Sequence, residues 1–182
     1  MFGLFSRNRN KPLIDRLHGE IMAGVLNPAL YLSCAVPDTF EGRFEMLVLH
    51  GALTTRHIER LPAPGPDLAQ DLTDAIFRYL DVTLREMGVG DVTVPKKMKK
   101  HAESYAGRAL SYFIALEAKD EAALRLALAR NIFGNEGQQD SVEAGRLAAY
   151  VQAVEARLAQ YQLAHFLSGQ IGYPDPHSLA GA

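Results

Sequence analysis

Residues 38–61 read DTFEGRFEMLVLHGALTTRHIERL, and the way the apolar positions fall in this stretch decides the fold. Asp38 and Glu41 stand at capping-box spacing, with Asp in the place of the usual Ser or Thr, so a helix starts here and runs to about Leu61. Along it Phe44, Leu47, Val48, Leu49, Leu53 and Ile58 point around most of the circumference. A helix that is apolar on nearly every side needs neighbours on every side, so the spacing predicts a central, buried helix.

Upstream, Leu13, Leu17, Ile21 and Val25 form one stripe of a helix from about Pro12 to Val25, and Asn27-Pro28 punctuates the chain after it. Downstream, PAPGP at 62–66 is a kinked linker, too short for a domain boundary. From Asp67 the spacing of Leu68, Leu72, Ile76, Tyr79 and Met87 is again helical, and Gly88 is placed to stop the helix. Phe77, Leu80 and Leu84 widen its apolar arc beyond one face, which marks either more core or a surface for a hydrophobic partner.

Pro95 suits the first turn of a helix to about Ala118, and Asp120 caps a shorter one ending near Phe133. GNEGQQD at 134–140 is a loop. Ser141 opens a last helix in which Leu147, Val151, Val154, Leu158, Tyr161 and His165 recur at intervals of four and three. That seam predicts antiparallel bundle packing or a helix-helix interface, and a homo-oligomer through it is compatible with the pattern. Only Val89 to Val94 reads as extended. The sum is an all-α, single-domain helical bundle of about six helices over residues 11–168, between a flexible basic tail at 1–10 and a second tail at 169–182 that carries two prolines and three glycines among its residues.

A chain of 182 residues can bury roughly 70% of its unfolded surface without staples. With 48% hydrophobic and 22% charged residues it has a globular composition, and a net charge of −2 excludes a globally basic, DNA-coating protein. The single cysteine, Cys34, lies in the apolar run LYLSCAV and reads as a buried, inert thiol. The start, MFGLFSRNRNK, is no secretory signal, and no stretch approaches the about 18 uninterrupted apolar residues of a membrane span. A cytoplasmic protein is expected, free or peripheral at the inner face of the cytoplasmic membrane.

The search for chemistry is largely negative. Gly88-Val89-Gly90 begins like a dinucleotide fingerprint, but Thr93 stands where the third glycine belongs and a helix precedes it instead of a strand. No phosphate-binding loop, HExxH or GxSxG occurs. His50 and His57 share a helix face but lie roughly 10 Å apart along its axis, too far to grip one ion. No catalytic residue, cofactor or metal is expected.

The lysines carry more information. At about 100° per residue Lys96, Lys97, Lys99 and Lys100 fall on one broad face, with Met98, Ala102, Tyr105, Ala109, Tyr112 and Leu116 opposite. Positive charge at a helix N-terminus opposes the macrodipole and costs stability unless an anionic partner, or Asp91 and Glu103 from within, compensates; a merely solvated face is the alternative reading.

REMGVGDVTVPKKMKKHAESYAGR, residues 85–108, resembles the signature of the ubiquinol-cytochrome c chaperone family, assembly factors of respiratory complex III. The resemblance extends from about Tyr31 to Ile171 and includes FEMLVLHG and LARNIFG. It implies a mostly helical, non-enzymatic chaperone that binds newly made cytochrome b, and, lacking an import presequence, a bacterial member. Mitochondrial members also engage a small partner protein and the ribosomal exit region, so the basic face is open to ribosomal RNA or to an anionic membrane surface. What the resemblance carries over is a partner-binding surface: Arg85, Gly88, Gly90, Asp91, Lys96, Lys97, Lys99, Lys100, Tyr105 and Arg108. The arc of Phe77, Leu80 and Leu84, or a groove beside it, is the expected client surface.

Overall fold

The computed structural model describes the backbone of residues 3–179 and the side chains of 10–178. Among the described residues there are eight α-helices and no strand: α1 (Gly3–Val25), α2 (Pro28–Leu32), α3 (Phe40–Glu59), α4 (Gly65–Glu86), α5 (Val94–Ala118), α6 (Glu121–Leu128), α7 (Val142–Leu158) and α8 (Leu163–Leu167). The six expected helices are the long ones, and α2 and α8 are single turns. Of residues 89–94, expected to be extended, 91–93 form a turn and Val94 already opens α5.

The helix α3 is the hub, packed against α1, α4, α5 and α7. Met46, Val48, Leu49, Leu53 and Ile58 are fully enclosed. Its N-cap falls one residue later than the capping-box spacing suggests. Thr39 Oγ1 accepts the Gly42 amide at 3.1 Å, while Asp38 turns to pair with Arg43 at 2.8 Å. Gly42 is required there, since a Cβ would lie 1.9 Å from the Pro37 carbonyl oxygen.

Both ends depart from the expected tails. The helix α1 begins at Gly3 and runs through Pro12, whose ring removes one ladder hydrogen bond without ending the helix. Residues 1 and 2 lie outside the described residues. At the other end the chain is laced back onto the bundle. Ile171 is 1% exposed, and the Ile171 and Gly172 amides both donate to Glu20 Oε2 at 3.1 Å. Tyr173 lies so close to α1 that a Cβ on Gly24 would come within 2.6 Å of its ring. Prolines and glycines here shape a packed connection.

The expected last helix is broken after Leu158 and resumes as α8. Leu147, Val151, Val154 and Leu158 are all buried in the chain's own core, so the seam is spent on bundle packing. After α6, residues 129–133 widen into a π turn that Gly134 closes in the left-handed conformation.

Candidate partner-binding groove and basic turn

The helix α4 ends in a Schellman arrangement: the Val89 amide donates to the Leu84 carbonyl at 3.1 Å and the Gly88 amide to Arg85 at 2.9 Å. Gly88 takes φ +81, a left-handed conformation costly to any residue with a Cβ. Gly90 accepts from the Thr93 amide at 2.7 Å and leads directly into α5. Arg85 ties the turn together. Its Nε donates to Asp81 Oδ2 at 2.7 Å and its Nη1 to Asp91 Oδ1.

Asp91 is therefore committed to Arg85, not to the lysines. Lys99 lies 3.9 Å from Glu103, and Lys96, Lys97 and Lys100 form no ion pair with a described residue. All four are exposed, the first turn of α5 contains no acid, and its N-cap residue Thr93 makes no side-chain cap. Internal compensation of the macrodipole is thus slight.

Beside this turn lies a groove of about 430 Å³ between α1, α3 and α4. Met22 comes from α1 and Leu26 from the turn just after it, Phe40 and Phe44 from α3, Tyr79 and Leu80 from α4, and Met87 from the signature turn itself. Leu26 and Met87 are 48% and 56% exposed at the rim, and Arg43 is its cationic member. His101 connects groove and lysines. Its ring packs on Phe44 at 4.6 Å and Phe40 at 6.2 Å, and it is held below the usual histidine range by burial and then by the charges of Lys97, Lys100 and Arg108.

Several expected surface residues face elsewhere. Leu84 is core, and Leu80, also 2% exposed, reaches only the groove floor. Phe77 packs on Tyr105 with ring centroids 5.4 Å apart. The apolar excess of α4 is therefore core, because α1 and α5 cover it. Tyr105 turns inward; its hydroxyl sits against Gly51 and is pushed up to about 12 by burial. Arg108 is half-buried and its Nε stands 2.6 Å from Glu45 Oε2. The groove residues Met22, Leu26, Phe40 and Arg43 were not foreseen. Leu26 alone carries a sequence signal, an apolar residue just before Asn27-Pro28, and that marks many ordinary helix ends.

His50 and His57 are held by partners inside the bundle. His50 is 0% exposed, with Nδ1 2.7 Å from the Met46 carbonyl and Nε2 2.7 Å from the Tyr150 hydroxyl. His57 Nε2 lies 3.0 Å from Glu155 Oε2. Among the described residues no group of three or more His, Cys, Asp or Glu could hold a metal ion. Cys34 is buried, and burial pushes its thiol up.

Residues 32–173 match the family model described as ubiquinol-cytochrome C chaperone. The chain belongs to the ubiquinol-cytochrome c chaperone family. The chaperone match includes the turn, α5 and the α3 and α4 walls of the groove, while the α1 wall lies outside it. Among solved structures, the crystal structure of the Cbp3 homolog from Brucella abortus is 36% identical, with a TM-score of 0.84 over 96% of each chain. No curated protein matches this chaperone-family chain.

Proposed function

We propose that the chain is a non-enzymatic assembly chaperone of respiratory complex III, and that its groove holds an apolar segment of newly made cytochrome b. The family supports the role in assembly. The observation that carries the client reading is the groove itself, an apolar trough whose rim residue Met87 belongs to the family's signature turn and whose side wall touches the lysine-rich helix through His101.

A trough of about 430 Å³ takes the side chains of one face of a helix, not a whole span. Each large apolar anchor contributes roughly 1.5–3 kcal/mol, while association itself costs at least about 4 kcal/mol. Two or three anchors therefore give weak, reversible binding. That suits a chaperone, which must release its client to the complex. No described helix is long and apolar enough to cross a membrane, so the chain reaches a membrane client from outside the bilayer core.

The test is capture of the tagged protein from gently solubilised host membranes, followed by mass spectrometry, with Leu26→Glu/Met87→Glu run alongside. Both substituted residues are exposed, so the fold is retained. Enrichment of cytochrome b that the double variant loses is the expected result. Equal capture by the variant removes the groove from the mechanism. Ribosomal proteins and RNA without cytochrome b would favour the alternative, a ribosome-contacting biogenesis factor acting through Lys96 to Lys100.

A further inference from the structure

Val92 is 94% exposed, the highest exposure among the large apolar residues described, and it stands at the apex of the signature turn one helical turn ahead of Lys96. A β-branched aliphatic residue left in water beside four cations is unexplained by packing: Val94 two residues on is fully buried, and the turn is already held by Arg85, Asp81 and Asp91. We propose that this apex is a membrane-contact site, in which Val92 enters the interface of an anionic bilayer while Lys96, Lys97, Lys99 and Lys100 meet its phosphate headgroups. The proposal goes beyond the client reading and stands on this surface alone.

Three features favour a bilayer over RNA. A single-stranded RNA site offers aromatic faces for bases to stack on, whereas the aromatic residues of α5 are turned inward: Tyr105 onto Phe77 and Tyr112 into the core. The exposed apolar residues at this end, Val92 and Met87, are aliphatic and suit acyl chains. The charge is also local: the chain as a whole carries −2, while four of its cations stand within residues 96–100, so this face is drawn to an anionic surface. Because Lys96, Lys97 and Lys100 form no ion pair with a described residue, no such pair must break for them to reach headgroups.

The geometry has a consequence for orientation. Met87, on the groove rim, is five residues from Val92 in the same braced turn, so docking the apex brings the groove mouth to the lipid surface.

The chain contains no tryptophan, so Val92→Trp supplies a single reporter at the apex. The purified full chain is floated with vesicles of phosphatidylcholine, with and without phosphatidylglycerol. Binding is expected only with the anionic lipid, falling steeply with salt and dropping at least about tenfold when the four lysines are reversed to Glu. The indole emission of the Val92→Trp chain is expected to shift to the blue on those vesicles and to be quenched by brominated acyl chains. No binding to anionic vesicles overturns the proposal, as does binding that survives the lysine reversal or leaves the reporter in water. Salt-sensitive retention on RNA without vesicle binding also overturns it. Cytochrome b capture reads the groove separately, so either idea can fail alone.

Discussion

Arg108 Nε on α5 stands 2.6 Å from Glu45 Oε2 on α3, joining a partly exposed guanidinium to a carboxylate that is almost wholly enclosed. Burial, the larger effect, pushes the Glu45 carboxyl up to about 7, against the pull of Arg108. A carboxyl raised in the folded state holds its proton there more tightly than in the unfolded chain. Its contribution to stability is therefore complete below about pH 4.5 and is lost as pH climbs through about 7. His50 acts in the opposite sense. Burial lowers it to about 4, so its contribution is complete above about pH 6.5 and is lost as pH falls through about 4. The two slopes oppose each other in the acid range and part near neutrality. Urea denaturation should show the wild type losing up to about 3 kcal/mol relative to Glu45→Gln as pH rises through that window. Parallel profiles for the two proteins would mean that Glu45 is ionised throughout.

The His50–Tyr150 bond makes a separate prediction. With His50 neutral, Nδ1–H donates to the Met46 carbonyl, so Nε2 accepts from the Tyr150 hydroxyl. Tyr150→Phe leaves that nitrogen buried without a partner, at a cost of about 1–3 kcal/mol. Replacing both partners by apolar groups removes the unmet acceptor. The double variant His50→Leu/Tyr150→Phe should therefore be less destabilised than the sum of the single variants, and a double-mutant cycle by chemical denaturation measures the difference. Additive losses would show that the bond contributes nothing.

These cores were legible because period and burial are tied: the all-round apolar pattern of Phe44 to Ile58 admits no reading but a central helix. Helix ends were less legible. Asp38 and Thr39 are both good caps, and the choice fell to Thr39 because Asp38 found Arg43 in space. The signature turn could be located but not its internal bonding, since nothing local says that Arg85 will take Asp91 away from the lysines. A groove beside the α4 arc could be expected but not its lining, because its walls come from Met22, Phe44 and Tyr79, which only the packing of α1, α3 and α4 brings together. Composition misled at the C-terminus, where prolines and glycines suggest a loose chain and Ile171 and Tyr173 override them by burial.

That C-terminal segment is expected to be structural. Ending the chain after Ser168 removes Ile171 from the core, the Glu20 hydrogen bonds, and the 2.6 Å bond between the Tyr173 and Thr54 hydroxyls. Loss of one large buried side chain alone costs about 2–5 kcal/mol, so the urea midpoint should fall markedly. Gly24→Ala should act on the same contact, because its new methyl would meet the Tyr173 ring. A truncated chain as stable as the full one would show the segment to be only laid on the surface.

Arg85 should matter for the turn and hardly at all for the fold. Its pairs with Asp81 and Asp91 are exposed, and solvent screening leaves such pairs little weight in global stability. They nevertheless join the last turn of α4 to the segment before α5, across a stretch with few other restraints. Arg85→Ala should therefore leave the denaturation midpoint nearly unchanged while amide exchange at residues 89–94 accelerates severalfold. Asp91→Asn, which keeps an acceptor but loses the charge, should fall between. Gly88→Ala tests the other restraint, since φ +81 costs a residue with a Cβ about 1–2 kcal/mol. Fast exchange in Gly88→Ala with none in Arg85→Ala would assign the rigidity of the turn, and so the placement of Met87 and Val92, to the backbone bonds of the helix end alone.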